Sequence, residues 1–300
     1  MSPAPHDPGR LDRTAIVTLI VLCSCWGLNQ VATKVGNSGI SPVTQAMLRS
    51  LGAALLLIVW ARLRGLRLLD RDGTLWLGIV AGLLFGLEFL LIYWGLLFTT
   101  ASRAVLFVYS APFVVAIGAH LFIPGERLTP GKLLGLLAAA GGLVLAFADR
   151  IALTTPMAIV GDAMCLIAAV AWGATTVLVK ATRLRRISAE KTLFYQLAVS
   201  ALMLAVIAIA VREPGVFALT PIVLLSLIYQ FAIVAFASYL AWFWLITRYP
   251  ASQLASFSFL TPIFGVVAGA VLLDEPIGIE LAGAVALIAA GIYLVNRPAT

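Results

Sequence analysis

Charge is scarce in this chain, and its scarcity decides the class of protein. Charged residues make up 11% of the 300 residues, hydrophobic residues make up 62%, and the mean hydropathy is +1.06. Soluble domains carry about 25% charged residues and about 45–50% apolar ones. The composition therefore excludes a soluble globular fold and intrinsic disorder, and it indicates an all-α membrane protein with many spans.

Histidine and cysteine are also rare. The two histidines, His6 and His120, have no metal-ligand spacing, so we expect no metal site and no cofactor. Cys23, Cys25 and Cys165 all lie in apolar stretches, where an odd number of thiols is typical of packing residues and not of a disulfide framework. The sequence lacks a GxxxxGK[ST] loop, so it contains no ATP-driven motor and implies no ATPase subunit.

Apolar runs separated by charged residues, proline or glycine predict ten membrane-spanning helices. Each span needs about 20 residues, so ten spans leave no room for a separate soluble domain. The predicted bounds are Thr14–Lys34, Pro42–Leu63, Leu75–Phe98, Ser102–Phe122, Pro130–Ala148, Pro156–Val179, Lys191–Val211, Pro221–Ile246, Ala251–Leu273 and Gly278–Val295.

The distribution of Lys and Arg predicts the orientation of these spans. With a cytoplasmic N-terminus, fifteen of the twenty Lys and Arg residues lie inside, four lie outside, and Arg49 lies within a span. The positive-inside rule then predicts that both termini are cytoplasmic, and we expect the inner membrane of a bacterium. The net charge of +7 reflects this topology, so the expected partner is the lipid bilayer and not a nucleic acid.

The first half of the chain recurs in the second half. Trp26-Gly27 recurs as Trp172-Gly173 at an offset of 146 residues. Similar offsets relate Lys34 to Lys180, Ala101-Ser102 to Ala251-Ser252, Pro112 to Pro262, Glu126 to Glu275, and Gly142 to Gly291. Five spans per half is an odd number, so the halves 1–150 and 151–300 are predicted to have opposite topology. Inverted repeats are typical of alternating-access transporters, with the substrate site between the halves near the membrane midplane.

Longer blocks of sequence resemble a known family. The first half contains CWGLNQVATKVGNSGISPVTQAMLR and FTTASRAVLFVYSAPFVVAIGAHLFIPGERLTPGKLLGLLAAAGGLVL, and the second contains WGATTVLVK and RYPASQLASFSFLTPIFGVVAGAVLLDEPIGIELAGAVALIAAGIYL. These blocks resemble the EamA repeats of the drug/metabolite transporter (DMT) superfamily, and the chain is most similar to the YddG-type exporters of aromatic amino acids. The resemblance implies ten helices, cytoplasmic termini and export of a small metabolite.

One face of the first span is polar, and so is the matching face of the sixth span. Unsatisfied amides are costly in hydrocarbon, so such a face points at a cavity or at another helix. We expect it to line a substrate cavity, with hydrogen bonding between helices as the alternative. Its members are Trp26, Asn29 and Gln30 in the first copy and Trp172, Thr175 and Thr176 in the second.

Three ionisable residues lie within the predicted spans. Glu88 is near the middle of the third span, where a carboxylate could bind a substrate amino group, carry a proton, or be a neutral buried acid. Arg49, about two turns inside the second span, is expected to snorkel or pair structurally, with anion binding as the less favoured alternative. Asp162 lies toward the outer end of the sixth span, a position typical of a solvated or capping acid.

Two prolines occupy matching positions at the centres of the fourth and ninth spans. A proline removes an amide donor, so Pro112 and Pro262 are predicted to free the carbonyls of Val108 and Ser258. We expect both prolines to act as hinges beside the substrate, with a static kink as the alternative. Ser110 and Ser258 are expected to line the cavity nearby.

Four further aromatic residues lie deep in the predicted spans. Tyr93, Tyr109, Tyr239 and Trp242 could stack on a flat solute or bind an ammonium group by cation–π contact. Together, these features predict a secondary transporter, not an enzyme, that exports small amphiphilic metabolites, most notably aromatic and other apolar amino acids. The alternatives are export of another class such as drugs or nucleotide-like compounds, a flippase for lipid-linked substrates, and an intramembrane enzyme. Monomer and dimer both stay open.

Overall fold

Helices make up almost all of the computed structural model, which describes residues 11–148, 155–273 and 280–297. The first half contains α1 (Arg13–Gly36), α2 (Pro42–Leu63), α3 (Leu75–Gly95), α4 (Ala101–Val108), α5 (Ala111–Phe122) and α6 (Pro130–Ala146). The second half contains α7 (Ala158–Ala181), α8 (Ala189–Ala210), α9 (Pro221–Ile228), a π-helical segment (Tyr229–Ser238), α10 (Tyr239–Arg248), α11 (Ala251–Phe257), α12 (Leu260–Leu273) and α13 (Glu280–Asn296).

Eight continuous stretches of the described residues are long and apolar enough to cross a membrane. Five of them are the single helices α1, α2, α3, α7 and α8, and three join shorter helices: Arg103–Phe122, Pro221–Arg248 and Ala251–Leu272. Two further apolar helices, α6 and α13, have 17 residues each. The all-helical fold with many membrane spans that the composition predicts is thereby confirmed.

Three of these stretches are not regular α-helices. α4 and α5 are separated immediately before Pro112, and α11 and α12 are separated at residues 258 and 259, shortly before Pro262. The prediction of a free carbonyl on Ser258 is wrong, because this oxygen accepts the backbone N–H of Thr261 at 2.9 Å. The predicted eighth span contains the ten-residue π-helical segment, a form that is often found at functional sites.

Glycines bring α6 and α13 to backbone contact. A methyl group added at Gly142 of α6 would lie 2.8 Å from the carbonyl oxygen of Ala284 in α13. A methyl group added at Gly291 of α13 would collide with the carbonyl oxygen of Gly135 in α6. Small residues at such positions let membrane helices pack by close van der Waals contact, which substitutes for the missing hydrophobic driving force.

A second pair of glycines joins the halves at another place. A methyl group at Gly27 of α1 would lie 2.6 Å from Cβ of Phe264 in α12. A methyl group at Gly173 of α7 would lie 2.6 Å from Cβ of Val114 in α5. α1 therefore packs tightly on α12, and α7 packs tightly on α5, so that helices of the two halves interlock.

The stripe formed by Gly78, Gly82 and Gly86 faces α8. Methyl groups at these positions would meet the ring of Tyr195, the side chain of Val199 and a methionine side chain of α8, respectively. Glycines at intervals of four thus let α3 and α8 pack closely.

Carboxylates hold helix N-termini at opposite ends of the bundle. Glu213 accepts two backbone N–H groups from the first turn of α2, at 3.1 and 2.9 Å. Glu126 accepts the N–H groups of Ala251 and Ser252 at the start of α11, at 2.8 and 3.2 Å. These bonds satisfy amide donors that have no partner within the helix, and they place negative charge at the positive end of the helix dipole.

Asp162 forms a buried ion pair with Arg103. Its Oδ1 also accepts the hydroxyl of Thr99 at 2.7 Å, and only 6% of the residue is exposed. The expectation of a solvated acid is wrong, because α4 packs against α7 and encloses the pair away from water.

A lysine ties the loop between α2 and α3 to the start of α8. Nζ of Lys191 donates to the backbone oxygen of Asp70 at 2.8 Å and to the carboxylate of Asp72 at 2.7 Å. Hydrogen bonds from Lys191 and Thr74 lower the pKa of Asp72 to about 2. The carboxylate is therefore ionised at any physiological pH, and the tie persists.

Replacing Gly142 with alanine is expected to destabilise the contact between α6 and α13. The added methyl group would lie 2.8 Å from the Ala284 carbonyl and 2.9 Å from Cγ1 of Ile288, and overpacking of this kind costs about 1–3 kcal/mol. The matched control is Gly141→Ala, where the methyl group meets nothing within 4 Å. Thermal unfolding in detergent should give a lower midpoint for G142A than for wild type and G141A. Equal midpoints for the two variants would contradict this packing.

Candidate functional site

A cavity of about 540 Å³ lies between the two halves of the chain. Helices α1, α2, α3 and α4 line it from the first half, and α7, α8, α10, α12 and the π-helical segment line it from the second. Its volume falls in the range of small-molecule sites, which is about 300–1,000 Å³.

The wall of this cavity brings together eleven of the thirteen residues that were expected to line a substrate site: Trp26, Asn29, Gln30, Glu88, Tyr93, Tyr109, Trp172, Thr175, Thr176, Tyr239 and Trp242. The other two, Ser110 and Ser258, are not on the wall. Each donates its hydroxyl to the carbonyl three residues earlier, at 2.6 and 2.7 Å. The two hydroxyls therefore bind backbone carbonyls where the helices break. Pro112 and Pro262 lie at those breaks, away from the wall.

Five aromatic rings form a connected aromatic wall on the cavity. Trp26 contacts Tyr239 and Trp242 edge to face, with ring centroids 6.1 and 5.5 Å apart. Phe85 extends the row, with its centroid 5.7 Å from Tyr239 and 4.9 Å from Phe89. Aromatic pairs favour these edge-to-face arrangements, so the rings hold one another in place and offer a rigid apolar surface.

Several polar groups of the predicted faces already have partners within the protein. Nε1 of Trp26 donates to the hydroxyl of Ser238 at 2.8 Å. The indole N–H therefore forms a hydrogen bond between helices, which was the alternative to lining the cavity. The hydroxyls of Thr175 and Thr176 donate to carbonyls four residues earlier, at 2.8 and 3.2 Å. Asn29 differs from them, because its buried Oδ1 has no hydrogen-bond partner among the described residues.

Arg49 belongs to the cavity wall, which corrects the preferred expectation that it snorkels. Only 1% of the residue is exposed, and its guanidinium lies over the ring of Phe89, 3.7 Å from the centroid. Arg49 is seven residues from the start of α2, and Glu88 is seven residues from the end of α3, at the same side of the bundle. With a rise of about 1.5 Å per residue, the two residues therefore lie at one depth, about 10 Å from the helix ends.

The sequence contains a cue that places Arg49 inside the bundle. Gln45, Arg49 and Ala53 follow one another at intervals of four, and all are at most 1% exposed. A face of small and polar residues marks the side of a membrane helix that contacts other helices. Gln196 of α8 is a second wall residue that the sequence reasoning missed; it is fully buried, and neither its amide oxygen nor its amide nitrogen has a partner among the described residues.

The two ends of the cavity differ. At one end, which we call the mouth, the wall reaches Lys34 and Asn37, both of which are exposed to solvent at the end of α1. At the opposite end, which we call the closed end, Glu126 binds the start of α11. There Nζ of Lys180 also donates to the carbonyls of Ile246 and Tyr249, both at 2.6 Å. The Tyr249 side chain is buried there, and this burial raises the pKa of its phenol.

The chemistry of the wall suits the binding of a solute. Across residues 11–148, 155–273 and 280–297, no group of three His, Cys, Asp or Glu side chains could hold a metal ion. The wall combines aromatic rings, a guanidinium, a carboxyl group and amides that have no hydrogen-bond partner for some of their atoms among the described residues. Such a surface can hold an amphiphilic solute that has an apolar part and a charged part.

Comparisons with known proteins agree with this architecture. The chain is 31% identical over 282 residues to a "Probable amino-acid metabolite efflux pump" of Salmonella typhimurium, covering 90% of both chains. It is 26% identical over 279 residues to "Uncharacterized transporter YoaV" of Bacillus subtilis, covering 93% of both. A solved crystal structure with 22% sequence identity shares the fold, with a TM-score of 0.81 over 95% of this chain and 96% of that one.

The family model described as "EamA-like transporter family" matches residues 13–148 and 159–297, which is nearly the whole chain. With its eight long apolar stretches, the chain is an integral multi-pass membrane protein. The chain belongs to the EamA-like transporter family.

Proposed function

We propose that this protein is a secondary transporter that exports small amphiphilic metabolites, most notably aromatic and other apolar amino acids, as YddG-type exporters do. The observation that carries the proposal is one cavity, lined by both halves of the chain, in which a rigid aromatic wall adjoins a buried arginine and a buried carboxyl group. An amino acid presents a matching combination of an apolar side chain, a carboxylate and an ammonium group. The printed name of the Salmonella relative, an amino-acid metabolite efflux pump, supports the same class of solute.

The proposed architecture has ten spans, in two five-helix halves at residues 1–150 and 151–300, with both termini cytoplasmic. The 17-residue helices α6 and α13 would be the fifth and tenth spans, and 17 residues are at the lower limit for crossing the hydrocarbon core. Two separate matches of the family model, one in each half, support the division. In this orientation the mouth faces out of the cell and the closed end faces the cytoplasm.

The glycine contacts support a two-fold relation between the halves. Gly142 contacts Ala284, and the residues 149 positions away from this pair, Gly291 and Gly135, contact each other as well. The contact of Gly27 with Phe264 corresponds in the same way to that of Gly173 with Val114, at offsets of 146 and 150. Exchange of partners between the halves is the pattern that a two-fold axis in the membrane plane produces. Alternating access would then exchange the arrangements at the mouth and at the closed end.

Purified protein in liposomes is expected to release labelled phenylalanine, tryptophan and leucine faster than protein-free liposomes do. The physical reason is that the cavity replaces the hydrocarbon barrier with polar partners for both ends of a zwitterion. The measurement is flux of a panel of labelled amino acids. An absence of protein-dependent flux across the panel would overturn the proposal. A parallel assay of lipid scrambling with a fluorescent phospholipid would then test the flippase alternative.

Pro112→Ala and Pro262→Ala are each expected to slow flux several-fold while leaving membrane insertion intact. Alanine restores an amide donor at the break between two helices, so the bend becomes harder to change. Pro130→Ala is the matched control, because Pro130 is the first residue of α6, where a missing amide donor is tolerated. Flux at the wild-type rate in both mid-span variants would show that the prolines are static kinks.

Glu126→Gln is expected to open the closed end. The carboxylate of Glu126 joins the first half to the start of α11, and hydrogen bonds to a charged group contribute about 1.5–3 kcal/mol each. A cysteine placed at Thr176, in a variant without the native cysteines, should react with a membrane-impermeant maleimide from the cytoplasmic side several-fold faster. Glu213→Gln is the control, since Glu213 caps α2 at the other end of the bundle. Equal labelling rates in the two variants would contradict a gate at Glu126.

A further inference from the structure

The cavity contains a buried cation for which the described residues supply no close anionic partner. Arg49 is 1% exposed, its Nε and Nη2 have no hydrogen-bond partner, and it takes part in none of the ion pairs formed within the described ranges. Burial of a charge is costly unless the charge is paired and hydrogen-bonded. The ring of Phe89 offsets only part of that cost.

The two unpartnered nitrogens define the shape of the missing ligand. Nε and Nη2 lie along one edge of the planar guanidinium, and their N–H groups point in the same direction. This edge binds the two oxygens of a carboxylate in parallel hydrogen bonds. The guanidinium lies over the ring of Phe89, with Cζ 3.7 Å from the ring centroid, and this contact uses neither of the two nitrogens in a hydrogen bond.

A carboxyl group lies near Arg49 at the same depth. Glu88 is the residue before Phe89, is 7% exposed, lines the cavity, and forms none of the hydrogen bonds or ion pairs found among the described residues. It lies close enough for electrostatic interaction with Arg49 but outside ion-pair distance. The aromatic wall begins at Phe89 and runs through Phe85 to Tyr239. A solute would therefore find a guanidinium, a carboxyl group and an apolar surface near one another.

We propose that Arg49 binds the carboxylate of the transported solute and that Glu88 binds its ammonium group, while the aromatic wall receives its side chain. The cavity thereby selects the zwitterionic head group of an α-amino acid. This inference rests on the proposed function and assigns the two ends of the solute to particular residues.

A binding experiment with three related ligands tests this assignment. Phenylalanine carries both charges, phenethylamine lacks the carboxylate, and 3-phenylpropionate lacks the ammonium group. Binding to the detergent-purified protein is followed by the fluorescence of the wall tryptophans. Wild type should bind phenylalanine about ten-fold or more tighter than either analogue, because each analogue loses a hydrogen-bonded ion pair.

Variants of Arg49 and Glu88 test which residue is responsible for each part of the preference for phenylalanine. Arg49→Gln should weaken phenylalanine binding to the level of phenethylamine and leave phenethylamine binding unchanged. Glu88→Gln should remove the preference for phenylalanine over 3-phenylpropionate. Arg49→Lys keeps the charge but not the planar edge, so it should restore only part of the affinity. Unfolding midpoints close to wild type confirm that each variant is folded.

Three outcomes would overturn the assignment. If Arg49→Gln weakens all three ligands equally, Arg49 has a structural role only. If phenylalanine binding is unchanged in Arg49→Gln while the liposome flux of amino acids is intact, this inference fails and the proposed function stands. If wild type binds 3-phenylpropionate as tightly as phenylalanine, the Glu88 assignment fails, and with it the proposed export of amino acids.

Discussion

Backbone contact between the halves is the constraint on which the rest of the structure depends. In lipid there is little hydrophobic drive to bring helices together, so they associate where small residues allow many atoms to touch. Gly135, Gly142 and Gly291 allow this between α6 and α13, and Gly27 and Gly173 allow it between the other helix pairs. Because the contacts run from one half to the other, they hold two sets of helices around a shared cavity without filling it.

The same constraint explains why polar groups are informative here. A helix in hydrocarbon satisfies its own backbone, and a side chain that also finds a partner, such as Asp162 with Arg103, belongs to the framework. Arg49, Glu88, Asn29 and Gln196 form a different class, since they line the cavity and have polar atoms that make no hydrogen bond to the described residues. The architecture therefore separates side chains that hold the bundle together from those whose hydrogen-bonding groups the bundle does not use.

Much of the fold was predictable from the sequence because hydropathy dominates it. Continuous apolar runs predicted most helix bounds to within a few residues, as in Pro42–Leu63, and paired prolines predicted the breaks before α5 and α12. The π-helical segment was not predictable, because Tyr229–Ser238 carries no proline or glycine to mark a change of hydrogen-bond register. The bonds of Ser258 and Asp162 depend on neighbours that are distant in sequence or on the local geometry of a bend.

The residues of the cavity wall were predictable where several of them share one helix face. They were not predictable where a single residue, such as Arg49, reaches the wall. The recurrence of one motif in both halves pointed to Trp26 and Trp172 and to the polar residues three and four positions after each. All of these residues line the cavity. Arg49 was misjudged because two turns from a helix end is also where an arginine can reach water. Its packing over Phe89 depends on the register of α2 against α3, which the sequence of either helix alone does not specify.

α2 in the first half corresponds to α8 in the second half, and the two helices differ in polarity where they line the cavity. Arg49 is the seventh residue after Pro42, and Gln196 is the seventh residue after Ala189, so a neutral amide stands where the other half has a cation. Since α2 and α8 run in opposite directions in the proposed topology, the cation lies toward the mouth and the amide toward the closed end. Glu88 lies at the depth of Arg49, so both ionisable groups are nearer the mouth than the closed end. A zwitterionic cargo bound between them would therefore lie off the membrane midplane, although the scaffold is nearly symmetric in shape.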